Sequence, residues 1–259
     1  IHHNRIYFNS SYDEGGGVMI AGELPADPSV LSPGAGPVDV YNNLIQSNMA
    51  NDDGGGLRFL MAGDFEYNVY NNMLVNNVST HEGGGVSLND APNVRIFNNT
   101  MMKNLTTATA MTSNGDPRPA GLSTSPNSNV LQATLPAGAP AFSNPVLFNN
   151  LWWDNRAGAW DGDSVSGIGL DGDPAGINYW DLGVTDGSAD LAPLYSLMQT
   201  DWGAAPHATN LVGDDPLVVE MYTTALRIFP WRGNANFVGA NIVADDLPID
   251  LTGDYHLTG

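Results

Sequence analysis

The sequence predicts an all-β chain, a right-handed single-stranded parallel β-helix (solenoid) with long loop insertions. Three observations carry this expectation: an asparagine pair that recurs at fixed spacing, a triple glycine locked to the pair in three repeats, and the lack of any sustained helical period.

The pairs are Asn4 and Asn9, Asn43 and Asn48, Asn72 and Asn77, Asn99 and Asn104, and Asn150 and Asn155, the second member always five residues after the first. An aromatic residue and another asparagine usually precede the pair, as in Tyr41-Asn42, Tyr70-Asn71, Phe97-Asn98 and Phe148-Asn149. Asparagine suits such turns because it tolerates left-handed backbone geometry and its amide bonds neighbouring main chain; stacked on its counterpart in the next coil, it forms a ladder. Segments such as Leu44 to Ser47 and Met73 to Asn76, between the paired asparagines, read as short strands.

After the second asparagine comes an acid and three glycines: Glu14 with Gly15 to Gly17, Asp53 with Gly54 to Gly56, and Glu82 with Gly83 to Gly85. Val18, Leu57 and Val86 follow them. Glycine supplies a tight corner where side chains do not fit and where positive φ carries little steric penalty. The sum is three short strands per repeat, separated by turns.

The first asparagines, at 4, 43, 72, 99 and 150, are unevenly spaced, so loops of variable length interrupt a constant coil. Residues 1–157 read as regular coils, with a Thr-, Ala-, Pro-, Ser- and Gly-rich insertion over 105–142. Residues 158–259 read as decorated coils of the same solenoid, and the whole as part of a longer chain, because it opens on Ile1 with no leader before the first repeat.

The stretch Asn210-Leu211-Val212-Gly213-Asp214-Asp215-Pro216-Leu217-Val218, followed by Gly253-Asp254-Tyr255-His256-Leu257, resembles the closing coils of large bacterial right-handed β-helix surface proteins. The resemblance implies a secreted or cell-surface location, often inside a multidomain protein, and brings no catalytic residues with it. The usual ending of that motif is missing after Thr258-Gly259.

Composition narrows the chemistry. A hydrophobic content of 42% is enough for a core, so the many Gly, Asn, Pro and Ser residues do not imply disorder. A formal charge of -20 repels phosphate backbones and anionic headgroups, which argues against nucleic acid, and no apolar run reaches membrane-spanning length. Without cysteine there are no disulfides, thiolate metal sites or Cys nucleophile.

Equivalent positions in successive coils stack about 4.8 Å apart, which places Glu14, Asp53 and Glu82 in one column, doubled by Asp13, Asp52 and His81. Like charges so close raise one another's pKa or bind a cation. A second oxygen-rich cluster joins Asp161 and Asp163 with Asp171 and Asp173. Glu14, Asp53, Glu82, Asp161, Asp163, Asp171 and Asp173 are the candidate ligands for Ca²⁺; the plainer reading makes them solvated turn residues. Trp152, Trp153, Trp160, Tyr179 and Trp180 offer either a sugar-stacking platform or anchors for large loops.

The signatures of pectin-cleaving β-helix enzymes, Asn-Thr-Asp, Gly-His-Gly and Arg-Ile-Lys, are absent. The expectation is therefore a non-enzymatic extracellular or cell-surface scaffold, structural or adhesive, contacting other copies, other extracellular proteins or glycans. A polysaccharide-binding or polysaccharide-degrading protein is the alternative.

Overall fold

A computed structural model describes residues 1–170, 173, 175–220, 226–228, 242–244 and 254–258. Strands dominate, and the one α-helix among the described residues is the single turn Asn129–Gln132, capped by the Ser128 hydroxyl. No described helix is long and apolar enough to cross a membrane.

Each regular repeat visits four parallel sheets in turn, so there are four strands per repeat where the sequence suggested three. One repeat supplies Val38–Tyr41 to the first sheet, Leu44–Gln46 to the second, Met49–Ala50 to the third and Leu57–Leu60 to the fourth. The next repeat lays Tyr67–Tyr70, Met73–Val75, Val78–Ser79 and Val86–Leu88 alongside them. Register is strict: Val40 pairs with Val69, Ile45 with Leu74, Ala50 with Ser79 and Leu57 with Val86. Strands of two residues, as in the third sheet, are too short to show an alternation in sequence.

Alternate residues of the first, second and fourth sheets turn inward to one apolar core that includes Val40, Ile45, Leu57, Phe59, Leu74, Ile96, Met101 and Trp152. The outer side of the third sheet buries Val78 and Leu105 against Val165 and Ile168. On the second sheet, Val75 and Met102 pack with Tyr255, whose hydroxyl accepts from Asn76 Nδ2 at 2.8 Å. The two pieces of the closing motif are strand partners: Val218–Glu220 runs antiparallel to Asp254–Leu257.

The stretch 105–142 is not loop throughout, because Leu105–Thr106 and Leu122–Thr124 join the third and fourth sheets. Parallel pairing also extends past residue 157, through Leu182–Val184 in the fourth sheet and Leu197–Met198 and Leu211–Val212 in the second.

The corners divide the two roles that asparagine offers. The residue before each paired asparagine takes the left-handed conformation: His3, Asn42, Asn71, Asn98 and Asn149 at one corner, Phe8, Ser47, Asn76, Lys103 and Asp154 at the other. The paired asparagine itself forms the ladder. At the second corner Asn48 Nδ2 donates to Asn77 Oδ1 at 3.0 Å, and Asn77 Nδ2 donates to Asn104 Oδ1 at 3.1 Å. The backbone N–H of each rung donates to the same oxygen, and the remaining amide hydrogen reaches a main-chain carbonyl, as from Asn77 to Ile45. From Asn48 to Asn155 this ladder is buried, and its amides are bonded as buried amides must be.

The triple glycines make the third corner. Gly54 has φ +71, and a Cβ on Gly55 would lie 2.3 Å from the Val78 carbonyl of the next repeat. Only a bare backbone allows the repeats to approach that closely.

Candidate functional site

Main-chain bonds lock the acid-bearing turns in register: Gly15 N–H donates to the Asp53 carbonyl and Gly54 N–H to the Glu82 carbonyl. Glu14, Asp53 and Glu82 are thereby brought into the column that the repeat implies. They do not splay into solvent. Asp53 is 8% exposed and Glu82 4%.

What the sequence reading missed is Arg58. It is 3% exposed, its Nε donates to Glu14 Oε2 at 2.6 Å, its Nη2 lies 3.0 Å from Asp53 Oδ2, and its Nη1 donates to Ser87 Oγ at 2.5 Å. Pairing in the fourth sheet sets Arg58 beside Met19 on one side and Ser87 on the other, so the acidic column at the turn meets a single guanidinium on the strand that follows. The signal was legible: a charged residue two places after the triple glycine, where the other repeats carry Met and Ser.

The carboxylates divide by partner. Burial pushes Glu14 up, and Arg58 only partly offsets it. Glu82 is pushed up to about 7, first by burial and then by the charge of Asp53, although Ser125 Oγ donates to its Oε1 at 2.7 Å. Asp52 is half-buried, but the bonds from His81 and from Thr112 Oγ1, the latter 2.8 Å from its Oδ1, outweigh burial and hold it below its ordinary value.

His81 occupies the register position of Asp13 and Asp52, and its Nδ1 lies 2.9 Å from Asp53 Oδ1 and 3.3 Å from Asp52 Oδ1. Burial would lower its pKa; the two carboxylates reverse this and lift it to about 10. Asp52, Asp53 and His81 are the one group of three ligand-bearing residues, among those described, whose ligand atoms all lie within 4.8 Å of one another.

The other proposed ligands stay apart from it. Asp161 Oδ1 accepts from the N–H groups of Asp163 and Ser164, and these bonds hold its carboxyl low. Asp163 is exposed beside it. Asp173 closes its own turn, accepting from Gly167 and Ala175. Asp171 lies outside the described residues.

The aromatics disperse into packing. Trp152 is in the core, Trp153 packs against the cluster around Tyr255, and Trp160 packs over the third sheet. Trp180 stacks on the half-exposed Trp202 at 4.6 Å. Along the first sheet Tyr41, Tyr70 and Phe97 stack at 4.9 and 5.0 Å with interplanar angles of 5° and 3°. Their faces cover one another.

No family model, curated protein or solved structure matches the chain.

Proposed function

We propose that the chain is a right-handed parallel β-helix that serves as a secreted or cell-surface scaffold, structural or adhesive, contacting other copies or other extracellular proteins. The observation that supports it most is where the polar side chains are used. The second-corner asparagines bond each other, and Arg58 is held between the Glu14 and Asp53 carboxylates of adjacent repeats. Groups spent on internal cohesion give a stiff shaft; they are not presented to a substrate. The resemblance of the closing segment to bacterial β-helix surface proteins supports the location.

The test is exposure of the purified chain to immobilised neutral and uronate polysaccharides, with new reducing ends and unsaturated products assayed alongside retention. The scaffold reading expects no cleavage. Cleavage would overturn it in favour of a polysaccharide-degrading protein, and retention without cleavage would favour the polysaccharide-binding alternative. Fractionation of cells that make the protein tests the location, and recovery from the cytosol would sink it.

A further inference from the structure

We propose that Asp52, Asp53 and His81 form a site for one first-row divalent cation, zinc above all, that ties two adjacent glycine turns together. The ligand atoms are His81 Nδ1, Asp53 Oδ1 and Asp52 Oδ1, with the nitrogen 2.9 and 3.3 Å from the two oxygens. Ligands about 2.0–2.1 Å from a tetrahedral zinc stand a little over 3 Å apart. The two nitrogen–oxygen distances lie within a few tenths of an ångström of that spacing, and all three ligand atoms lie within 4.8 Å of one another. Three protein ligands leave a fourth position for water, and the ion takes the place of the proton on His81 Nδ1, which is released to solvent.

The groups behind the ligands fix them. Arg58 Nη2 lies 3.0 Å from Asp53 Oδ2, which leaves Oδ1 as that residue's ligand atom. Thr112 Oγ1 donates to Asp52 Oδ1 at 2.8 Å, taking one lone pair and leaving another. Ser79 Oγ accepts from the His81 main-chain N–H at 3.0 Å and sets the turn that carries the imidazole. Partners of this kind orient metal ligands and tune their affinity. The Asp52 turn also holds Asn51, 5% exposed, whose Oδ1 has no hydrogen-bond partner among the described residues. The side chains of His81, Asp52 and Asp53 are 19%, 17% and 12% exposed, so an ion has a way in.

Donor chemistry selects the cation. Calcium takes about six to eight oxygens, whereas this group offers one imidazole nitrogen and two carboxylates, and a guanidinium occupies the second oxygen of Asp53. Imidazole with carboxylate suits zinc and its first-row neighbours.

His2 and His3, with Nδ1 atoms 2.9 Å apart, would also take zinc, so the test uses the chain carrying His2→Ala and His3→Ala. Metal-free protein is titrated with Zn²⁺ by calorimetry and melted with and without Zn²⁺ or Ca²⁺. The expected result is one Zn²⁺ per chain at micromolar or tighter affinity and a raised melting midpoint with Zn²⁺ but not with Ca²⁺. His81→Gln should lose at least tenfold in affinity. Absence of binding at millimolar Zn²⁺, or binding unchanged in His81→Gln, overturns the site. If His81→Gln fails to fold, Co²⁺ in the parent decides: visible bands of four-coordinate Co²⁺ support the site, and their absence overturns it.

Discussion

Replacing Asp181 by asparagine weighs burial against hydrogen bonding at one atom group. Asp181 ends the second-corner ladder. Its Oδ1 accepts from Asn155 Nδ2 at 2.8 Å, and its Oδ2 accepts from the N–H groups of Gln199 at 2.8 Å and Thr200 at 3.2 Å. The residue is fully buried, and burial lifts its carboxyl from 3.8 to about 6 in spite of those three donors. A carboxyl lifted that far corresponds to ~3 kcal/mol, at ~1.4 kcal/mol for each tenfold change in proton affinity. The folded pKa is the higher one, so the folded chain holds the proton more tightly. The penalty is absent below the unfolded value, grows as pH rises from about 4 to 6, and is fully present above it.

The Asp181→Asn variant carries no charge at this position at any pH. Its stability relative to the parent should rise by up to ~3 kcal/mol between pH 4 and pH 7, or roughly 6–12 °C in melting midpoint at about 2–4 °C per kcal/mol. Thermal unfolding of both proteins at pH 4, 5, 6 and 7 reads the difference directly. The opposing effect is that an amide has one oxygen for three donors, so one donor must meet an N–H, at about 1–3 kcal/mol. A gap between the two melting midpoints that stays constant across this range would show that burial does not govern this carboxyl.

Arg58→Met should lower stability by about 3–5 kcal/mol in denaturant titration, because Glu14 and Asp53 lose a buried counter-charge. The loss should shrink as pH falls, because Glu14, whose carboxyl burial pushes up, takes up a proton and no longer needs the counter-charge. Asn77→Ala leaves the buried Asn48 N–H and the Ile45 carbonyl without their ladder partner and should cost about 2–4 kcal/mol by urea unfolding, while Asn4→Ala at the exposed end should cost under about 1 kcal/mol. Gly55→Ala forces a methyl against the Val78 carbonyl and should abolish the cooperative transition seen by circular dichroism. Gly36→Ala serves as the comparison: no atom lies within 4 Å of its Cβ, so only the strain of φ +76 is felt.

How much of this was legible depends on whether a residue repeats. The paired asparagines and triple glycines recur because each rung must match the next, and they announced the ladders and the close corner. The third sheet was invisible, since two residues such as Met49–Ala50 carry no period. His81 was visible only through register: it stands 28 residues from the Asp53 it touches, at the place where other repeats carry an acid. Asp181 escaped because the asparagine pattern is broken there; a carboxylate takes the rung, and an aspartate after a tryptophan carries no mark of being the successor of Asn155. The tryptophans looked like one cluster in sequence and separated in space: Trp152 and Trp153 face opposite sides of one strand, and Trp160 lies on another.

The asparagine ladder also has a direction. Every rung of the second corner gives its N–H groups to the following repeat and receives through its oxygen from the preceding one. Any rung is therefore interchangeable with its neighbour, and a whole repeat inserted between two others would meet the same donors on one side and the same acceptor on the other. Length along this axis is chemically neutral: the molecule could be longer or shorter by complete repeats with no new kind of contact. Asp181 is the exception, since an ionised carboxylate only accepts. It receives the last donors and has none to pass on, so at this corner the series stops at a residue that cannot be copied inward.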